Sequence, residues 1–173
     1  MKFFSGFSLR DESYLFEDFI QETQYCVCGF SYGAIKALKH TQELRKRGQR
    51  VDRLQLFSPA FFQTKSQKFK RLQTLAYGIS KEAYLEQFIN SCFLPYKRKE
   101  VLDTETSIEE LEELLDYKWL LSDLVPLRDA GVKIEVYLGG EDKIIDVEAA
   151  REFFLRAATV TYIKNANHFL QID

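Results

Sequence analysis

Histidine, cysteine and proline are scarce in this chain, with two, three and three copies among 173 residues. Cys26, Cys28 and Cys92 cannot all pair with one another, so the sequence predicts reduced thiols in the core. A redox or metal pair at Cys26 and Cys28 is the alternative, but a C-x-C pattern lacks the further ligands that a zinc site requires. With two distant histidines and scattered carboxylates, the sequence predicts neither a metal nor a cofactor.

Long apolar runs and an excess of charge of one sign are also missing. No segment approaches the roughly 18 apolar residues of a membrane-spanning helix, and Arg10, Asp11 and Glu12 interrupt the apolar start before it reaches signal-peptide length. The formal net charge of -2 gives no whole-molecule field that favours nucleic acid. We therefore expect a cytoplasmic protein that binds neither nucleic acid nor membranes.

Short β-branched and aromatic segments alternate with segments of helical period along the chain. The predicted strands are residues 2–5, 25–28, 51–57, 133–138 and 159–163. Such alternation indicates parallel strands joined by crossovers, in a single α/β domain over residues 1–173. One helix follows the second strand and ends before Gly48, and another begins after Asp146, a good N-cap residue.

Residues 60–124 contain helix-period apolar residues but no convincing strand, which predicts an inserted helical cap. Charge is segregated within this segment, because two groups of basic residues precede one acidic run. The acidic run consists of Asp103, Glu105, Glu109, Glu110, Glu112, Glu113 and Asp116. The basic residues are Lys65, Lys68, Lys70, Arg71, Lys97, Arg98 and Lys99.

The pattern Gly29-Phe30-Ser31-Tyr32-Gly33 directly follows a predicted strand and opens a predicted helix. A serine hydroxyl is a poor nucleophile until a strained turn lifts it clear of the sheet, where a base can reach it. The sequence therefore predicts Ser31 as a nucleophile. A glycine-rich turn that only packs tightly is the alternative.

An acid and a base follow later strands, in the order serine, acid, histidine that α/β hydrolases use. Asp142 comes just after the fourth strand, where Glu141 and Asp146 are competing candidates for the acid. His168 follows the last strand, whereas His40 lies about two helical turns beyond the serine, too far along its helix for the ring to reach back.

An oxyanion hole requires two N–H donors, one of them from the residue after the nucleophile. That residue is Tyr32. The second candidate is the N–H of Phe7, in the loop after the first strand, where Gly6 lets the backbone turn closely. The alternative for this loop is a tight turn without function.

Several short sequence motifs are not shared by hydrolases in general, and they are spread over nearly the whole chain. With them the chain resembles the BioV-type pimeloyl-acyl-carrier-protein methyl ester esterases of biotin synthesis, which are α/β hydrolases. These motifs are Phe3-Phe4-Ser5-Gly6-Phe7, Gly29 to Ala37, Leu56-Phe57-Ser58-Pro59, Phe69-Lys70-Arg71-Leu72-Gln73, Leu114-Leu115-Asp116-Tyr117-Lys118 and Asn167-His168-Phe169-Leu170-Gln171.

The resemblance implies Ser31, Asp142 and His168 as the catalytic residues. It also implies hydrolysis of the methyl ester on a pimeloyl chain carried by acyl-carrier protein. Because the superfamily sheet has about eight strands and only five are predicted here, we expect a reduced α/β-hydrolase fold. A broad carboxylesterase or thioesterase, and a hydrolase fold that only binds a protein, are the alternatives.

The resemblance further implies a partner, an acidic acyl-carrier protein. The basic residues of the cap would attract such a partner in a salt-dependent way. A solvated helix face, balanced by the acidic run, is the other interpretation of these charges.

Overall fold

The computed structural model describes residues 1–173, in which helices alternate with strands. None of the helices is long and apolar enough to cross a lipid bilayer. In chain order the elements are β1 Lys2–Phe4, β2 Leu9–Arg10, a short 3-10 helix at Glu12–Phe16, β3 Cys26–Phe30, α1 Tyr32–Lys46, β4 Arg53–Phe57, α2 Gln67–Ile79, α3 Lys81–Phe93, β5 Leu102–Asp103, α4 Ile108–Asp116, α5 Leu121–Asp129, β6 Lys133–Gly139, α6 Val147–Phe154 and β7 Thr159–Ile163.

Five of the strands form one sheet in the order β1, β3, β4, β6, β7, and every neighbouring pair is parallel. The predicted five-stranded parallel sheet with flanking helices is thus confirmed. Parallel strands need crossovers, and α1 and α6 provide two of them. The carboxyl ends of β3, β6 and β7 consequently lie at the same edge of the sheet, where ligands of such sheets bind.

The two faces of the sheet pack into two hydrophobic clusters. Val27 belongs to the larger cluster, together with α1 and the cap helices. Cys26, Cys28 and Phe30 alternate to the opposite face and pack with Phe16 in the smaller cluster. The cysteines are free and buried, with 3.5 Å between the sulfur atoms of Cys26 and Cys28, as expected for reduced core thiols.

Helices α2 to α5 follow one another between β4 and β6; α2, α3 and α4 lie within residues 60–124, the predicted cap, and α5 extends past its end. The hydroxyl groups of Ser66, Ser80 and Ser107 accept hydrogen bonds at the starts of α2, α3 and α4. The segment also contains β5, which pairs with β2 and which the sequence analysis did not predict. Two exposed residues are too short a strand to produce an alternating pattern.

The acidic run of α4 connects the cap to α1, the helix that follows the nucleophile. Glu110 pairs with Lys36 at 3.3 Å, and Glu113 pairs with Lys39. Glu113 also accepts a hydrogen bond from the Tyr32 hydroxyl group. Burial raises the pKa of the Tyr32 hydroxyl group, and the hydrogen bond to Glu113 raises it further. These acidic residues therefore join the cap to the sheet domain instead of facing only solvent.

Candidate active site

Ser31 stands on the sharp turn between β3 and α1. Its φ of 51° lies in the left-handed region, a strained conformation for serine. Gly29 and Gly33 make the turn possible, because a Cβ atom on Gly33 would lie 2.0 Å from the carbonyl oxygen of Phe4. The Ser31 N–H donates to the Phe57 carbonyl at 2.9 Å, which ties the turn to the end of β4.

The structure brings Ser31, His168 and Asp142 together in one hydrogen-bonded chain. His168 Nε2 lies 3.0 Å from Ser31 Oγ, and Nδ1 lies 2.6 Å from Asp142 Oδ2. The exposed fractions are 4% for Ser31, 0% for His168 and 8% for Asp142. In this arrangement the imidazole can take the serine proton while the carboxylate holds its tautomer.

Asp142 rather than its two competitors lies beside His168. Its second oxygen, Oδ1, accepts hydrogen bonds from the N–H groups of Ile144 at 2.7 Å and Ile145 at 3.3 Å, which fix the carboxylate. Asp146 caps α6 through the N–H of Ala149. Glu141 pairs with Lys143 at 3.0 Å, with 43% of its side chain exposed.

The loop that carries His168 is held by Asn167, a residue to which the sequence analysis assigned no role. Its side chain is fully buried and donates to the Phe93 carbonyl at 2.8 Å and to Gln171 Oε1 at 2.9 Å. Its oxygen accepts from the N–H groups of Phe169 and Gln171, both at 3.0 Å. The only sequence signal for a role of Asn167 was its position next to His168 in the Asn167 to Gln171 motif.

The two predicted oxyanion donors have no backbone acceptor. Neither the Phe7 N–H nor the Tyr32 N–H donates to another backbone group. Gly6 is tightly enclosed, since a Cβ atom there would lie 2.8 Å from the Phe30 ring. Its N–H donates to Glu12 Oε1 at 2.7 Å. The sequence analysis named Glu12 only as one of the charged residues that interrupt the apolar start of the chain, and it assigned Glu12 no role in the site.

A cavity of about 320 Å³ lies between the cap and the loop after β6. Nine of its fourteen lining residues are hydrophobic, and Lys65 and Lys143 are the charged members. Phe88 and Ile144 line the cavity and also pack against the smaller hydrophobic cluster, which contains Phe30 and Phe169. Phe30 and Phe169 in turn lie beside the His168 ring, with ring centroids 5.0 and 6.4 Å away.

The basic residues of the cap differ in what their charges contact. Lys68 and Arg71 on α2 are exposed, as are Lys97 and Lys99 after α3, while Lys65 is half-buried. Lys70 corrects the sequence interpretation, because its side chain is 9% exposed and its Nζ pairs with Asp116 at 2.9 Å. Arg98 is engaged by Glu86 and Asn90.

No group of three or more histidine, cysteine or acidic side chains is arranged to hold a metal ion.

Comparison with solved structures identifies the architecture. No family model matches this sequence, and no curated protein does. The naproxen esterase of Bacillus subtilis superposes with a TM-score of 0.52 at 19% identity, over 85% of this chain and 54% of its own. An esterase from Exiguobacterium antarcticum superposes with a TM-score of 0.58 at 15% identity, over 78% of this chain and 55% of its own. The fold is that of the α/β hydrolases.

A third neighbour is closer to this chain in size. E-2-(acetamidomethylene)succinate hydrolase superposes with a TM-score of 0.56 at 16% identity, over 97% of this chain and 84% of its own. By contrast, the chain spans little more than half the length of either esterase. At these identities the likeness establishes the α/β-hydrolase fold and nothing finer.

Proposed function

We propose that this α/β-hydrolase chain is a carboxylic ester hydrolase that forms an acyl-enzyme on Ser31. The observation that carries the proposal is the continuous contact from Asp142 through His168 to Ser31. The esterase and hydrolase neighbours support the same class of reaction.

In the first half of the reaction, Ser31 Oγ attacks the ester carbonyl carbon while His168 Nε2 takes the hydroxyl proton. The oxyanion that forms accepts hydrogen bonds from the N–H groups of Phe7 and Tyr32. When the intermediate collapses, the carbon–oxygen bond to the alcohol breaks and His168 gives its proton to the leaving oxygen. The product that leaves is an alcohol, and the acyl group stays on Ser31.

In the second half, water attacks the acyl-enzyme and His168 takes the water proton. Collapse of the second intermediate returns that proton to Ser31 Oγ and releases the carboxylic acid. Throughout both halves Asp142 accepts from His168 Nδ1, which orients the ring and stabilises the imidazolium.

For the substrate we propose the methyl ester of pimeloyl-acyl-carrier protein, with methanol and pimeloyl-acyl-carrier protein as products. The resemblance of the motifs around Ser31 and His168 to those of the BioV-type esterases supports this substrate. The apolar cavity, whose lining includes Ile144 two residues after Asp142, suits an alkyl chain, and the small exposed fraction of Ser31 suits a small leaving alcohol.

Docking of the acidic carrier on α2 is supported by an exposed apolar stripe with basic neighbours. Leu72, Leu75 and Ile79 are 53%, 61% and 78% exposed, at a spacing that aligns them on one helix face. Lys68 and Arg71 line a groove between α2 and α4 together with Leu72 and Leu75. An amphipathic acidic helix complements such a surface.

Incubation with pimeloyl-acyl-carrier-protein methyl ester tests the reaction and the substrate together. We expect loss of the methyl group by mass, and no loss with Ser31→Ala. Turnover of a short nitrophenyl ester without turnover of the carrier substrate would favour a broad carboxylesterase or thioesterase. Inactivity on both substrates would favour a fold that only binds a protein.

The docking surface is tested with Lys68→Ala/Arg71→Ala, and with Lys46→Ala/Arg47→Ala at the C-terminal end of α1, where both residues are exposed, as the charge-matched control. Each exposed charge contributes up to about 1 kcal/mol, so the double variant should raise KM for the carrier substrate about tenfold at low salt. Neither variant should alter turnover of the nitrophenyl ester. An unchanged KM for the carrier substrate would contradict docking at α2.

A further inference from the structure

The loop that offers the Phe7 N–H is held on both sides of Gly6. The Leu9 N–H donates to the Gly6 carbonyl at 3.2 Å, and the Gly6 N–H donates to Glu12 Oε1 at 2.7 Å. In a trans peptide the carbonyl and the following N–H point in opposite directions. Because the Gly6 carbonyl points toward Leu9, the Phe7 N–H points away from Leu9 and remains without a protein acceptor.

Only one of these two constraints comes from a side chain. The Leu9 bond is a local turn contact, whereas the Glu12 bond joins the loop to the 3-10 helix six residues from Gly6. Gly6 has no side chain of its own with which to anchor the loop, so the loop conformation depends on what its N–H and carbonyl bind. The carboxyl group of Glu12 therefore holds the peptide before Gly6, and through the backbone of Gly6 it supports the next peptide, which carries the Phe7 N–H.

Glu12 is an unfavourable residue for stability alone. It is 1% exposed, and its second oxygen, Oε2, is buried without a hydrogen-bond partner. Burial raises the pKa of this carboxyl group above its ordinary value and outweighs the hydrogen bonding, first from the Gly6 N–H, that lowers it. A buried acid with a free oxygen destabilises a fold relative to an apolar side chain of similar size. Its presence beneath the loop is explained if the loop needs an acceptor there.

We infer that Glu12 is a positioning residue for the oxyanion hole, which holds Gly6 so that the Phe7 N–H faces the developing oxyanion. This inference rests on the proposed ester hydrolysis. It assigns to Glu12 a contribution that acts in the transition state and hardly at all in substrate binding, because the oxyanion exists only after attack by Ser31.

Two substitutions separate this role from simple packing. Glu12→Gln keeps an oxygen acceptor for Gly6 and removes the charge, whereas Glu12→Met keeps the size and removes the acceptor. The matched control is Glu17→Ala, which removes an exposed carboxylate just after the same 3-10 helix. All are compared with the unaltered chain on a nitrophenyl ester, with the melting temperature recorded for each.

Loss of an oxyanion donor costs about 10²- to 10³-fold in kcat, and a donor that is misdirected part of the time costs less. We expect Glu12→Met to lower kcat by about 10- to 100-fold with KM within about twofold. Glu12→Gln and Glu17→Ala should stay within about threefold of the unaltered kcat. Affinity for a trifluoromethyl ketone, which forms an oxyanion on Ser31, should fall in Glu12→Met in proportion to kcat.

Unaltered kcat and ketone affinity in folded Glu12→Met would overturn the inference while leaving Ser31 catalysis intact. Equal losses in Glu12→Met and Glu12→Gln would also overturn it, since the acceptor would then not be what matters. If Glu12→Met melts below the assay temperature, Glu12→Asp, whose shorter side chain withdraws the acceptor, is measured in its place. Absence of Ser31-dependent turnover in the unaltered chain would refute the proposed function and this inference with it.

Discussion

Replacing Asn167 by alanine should damage both the fold and the rate, because one buried side chain organises the whole histidine loop. Its amide makes four hydrogen bonds, to the Phe93 carbonyl, the Gln171 side chain and the N–H groups of Phe169 and Gln171. Alanine removes all four, and the partners are too deeply buried for water to replace them without rearrangement.

The size of the effect follows from that number of bonds. A net contribution of about 1 kcal/mol for each bond gives a loss of about 4 kcal/mol in the free energy of unfolding. Since His168 is the next residue, its ring should lose its fixed position. A displacement of about 1 Å in a catalytic group lowers kcat by about 10²-fold.

Urea unfolding and nitrophenyl ester turnover measure the two effects on the same preparation. Asn165→Ala is the control, because the Asn165 side chain is exposed and makes no hydrogen bond, although its backbone carbonyl accepts from Tyr96. We expect the control to match the unaltered chain in both assays. A loss below about 1 kcal/mol, or an unchanged kcat, in Asn167→Ala would refute the role given to this loop.

Two further predictions concern the catalytic acid and the contact between cap and sheet. Asp142→Asn should leave the fold intact but lower kcat by about 10⁴-fold, the size of effect seen when a triad histidine is held in the wrong tautomer; an effect below tenfold in a single-turnover assay would argue that another group orients His168. Bonding to Lys39, then to Tyr32, lowers the pKa of Glu113 from its ordinary value of 4.5. A group whose pKa is lower in the folded state stabilises the fold above its unfolded-state pKa, and this stabilisation is lost as the pH falls through its folded-state pKa. The melting temperature should therefore fall less steeply below pH 4.5 for Glu113→Gln than for the unaltered chain. Identical acid profiles would contradict that contact.

Much of the fold could be predicted because its signals are local. The strands of the main sheet are rich in apolar and β-branched residues, and each is bounded by a turn residue or by a segment with helical spacing of its apolar residues. The bounds predicted for β7 are those of the structure. Strand β5 could not be predicted, since two exposed residues gain their conformation from pairing with β2 and not from their own pattern.

The candidate site divides in the same way. Ser31 and His168 could be singled out because each lies in a distinctive sequence motif directly after a strand, although their catalytic roles remain predictions. Glu12 and Lys70 could not be assigned correctly, because a charged residue is expected at the surface unless its partner is known. The partners, Gly6 and Asp116, come together with them only in the folded chain.

Labelling with a fluorophosphonate, followed by peptide mass mapping, tests the central claim most directly. The reagent phosphonylates a serine only when a neighbouring base activates it, so the claim concerns one residue and one partner. We predict a single adduct on the peptide that contains Ser31, and about 10³-fold slower labelling in His168→Ala. An adduct elsewhere, or equal labelling in His168→Ala, would contradict the assignment of Ser31 as a nucleophile activated by His168.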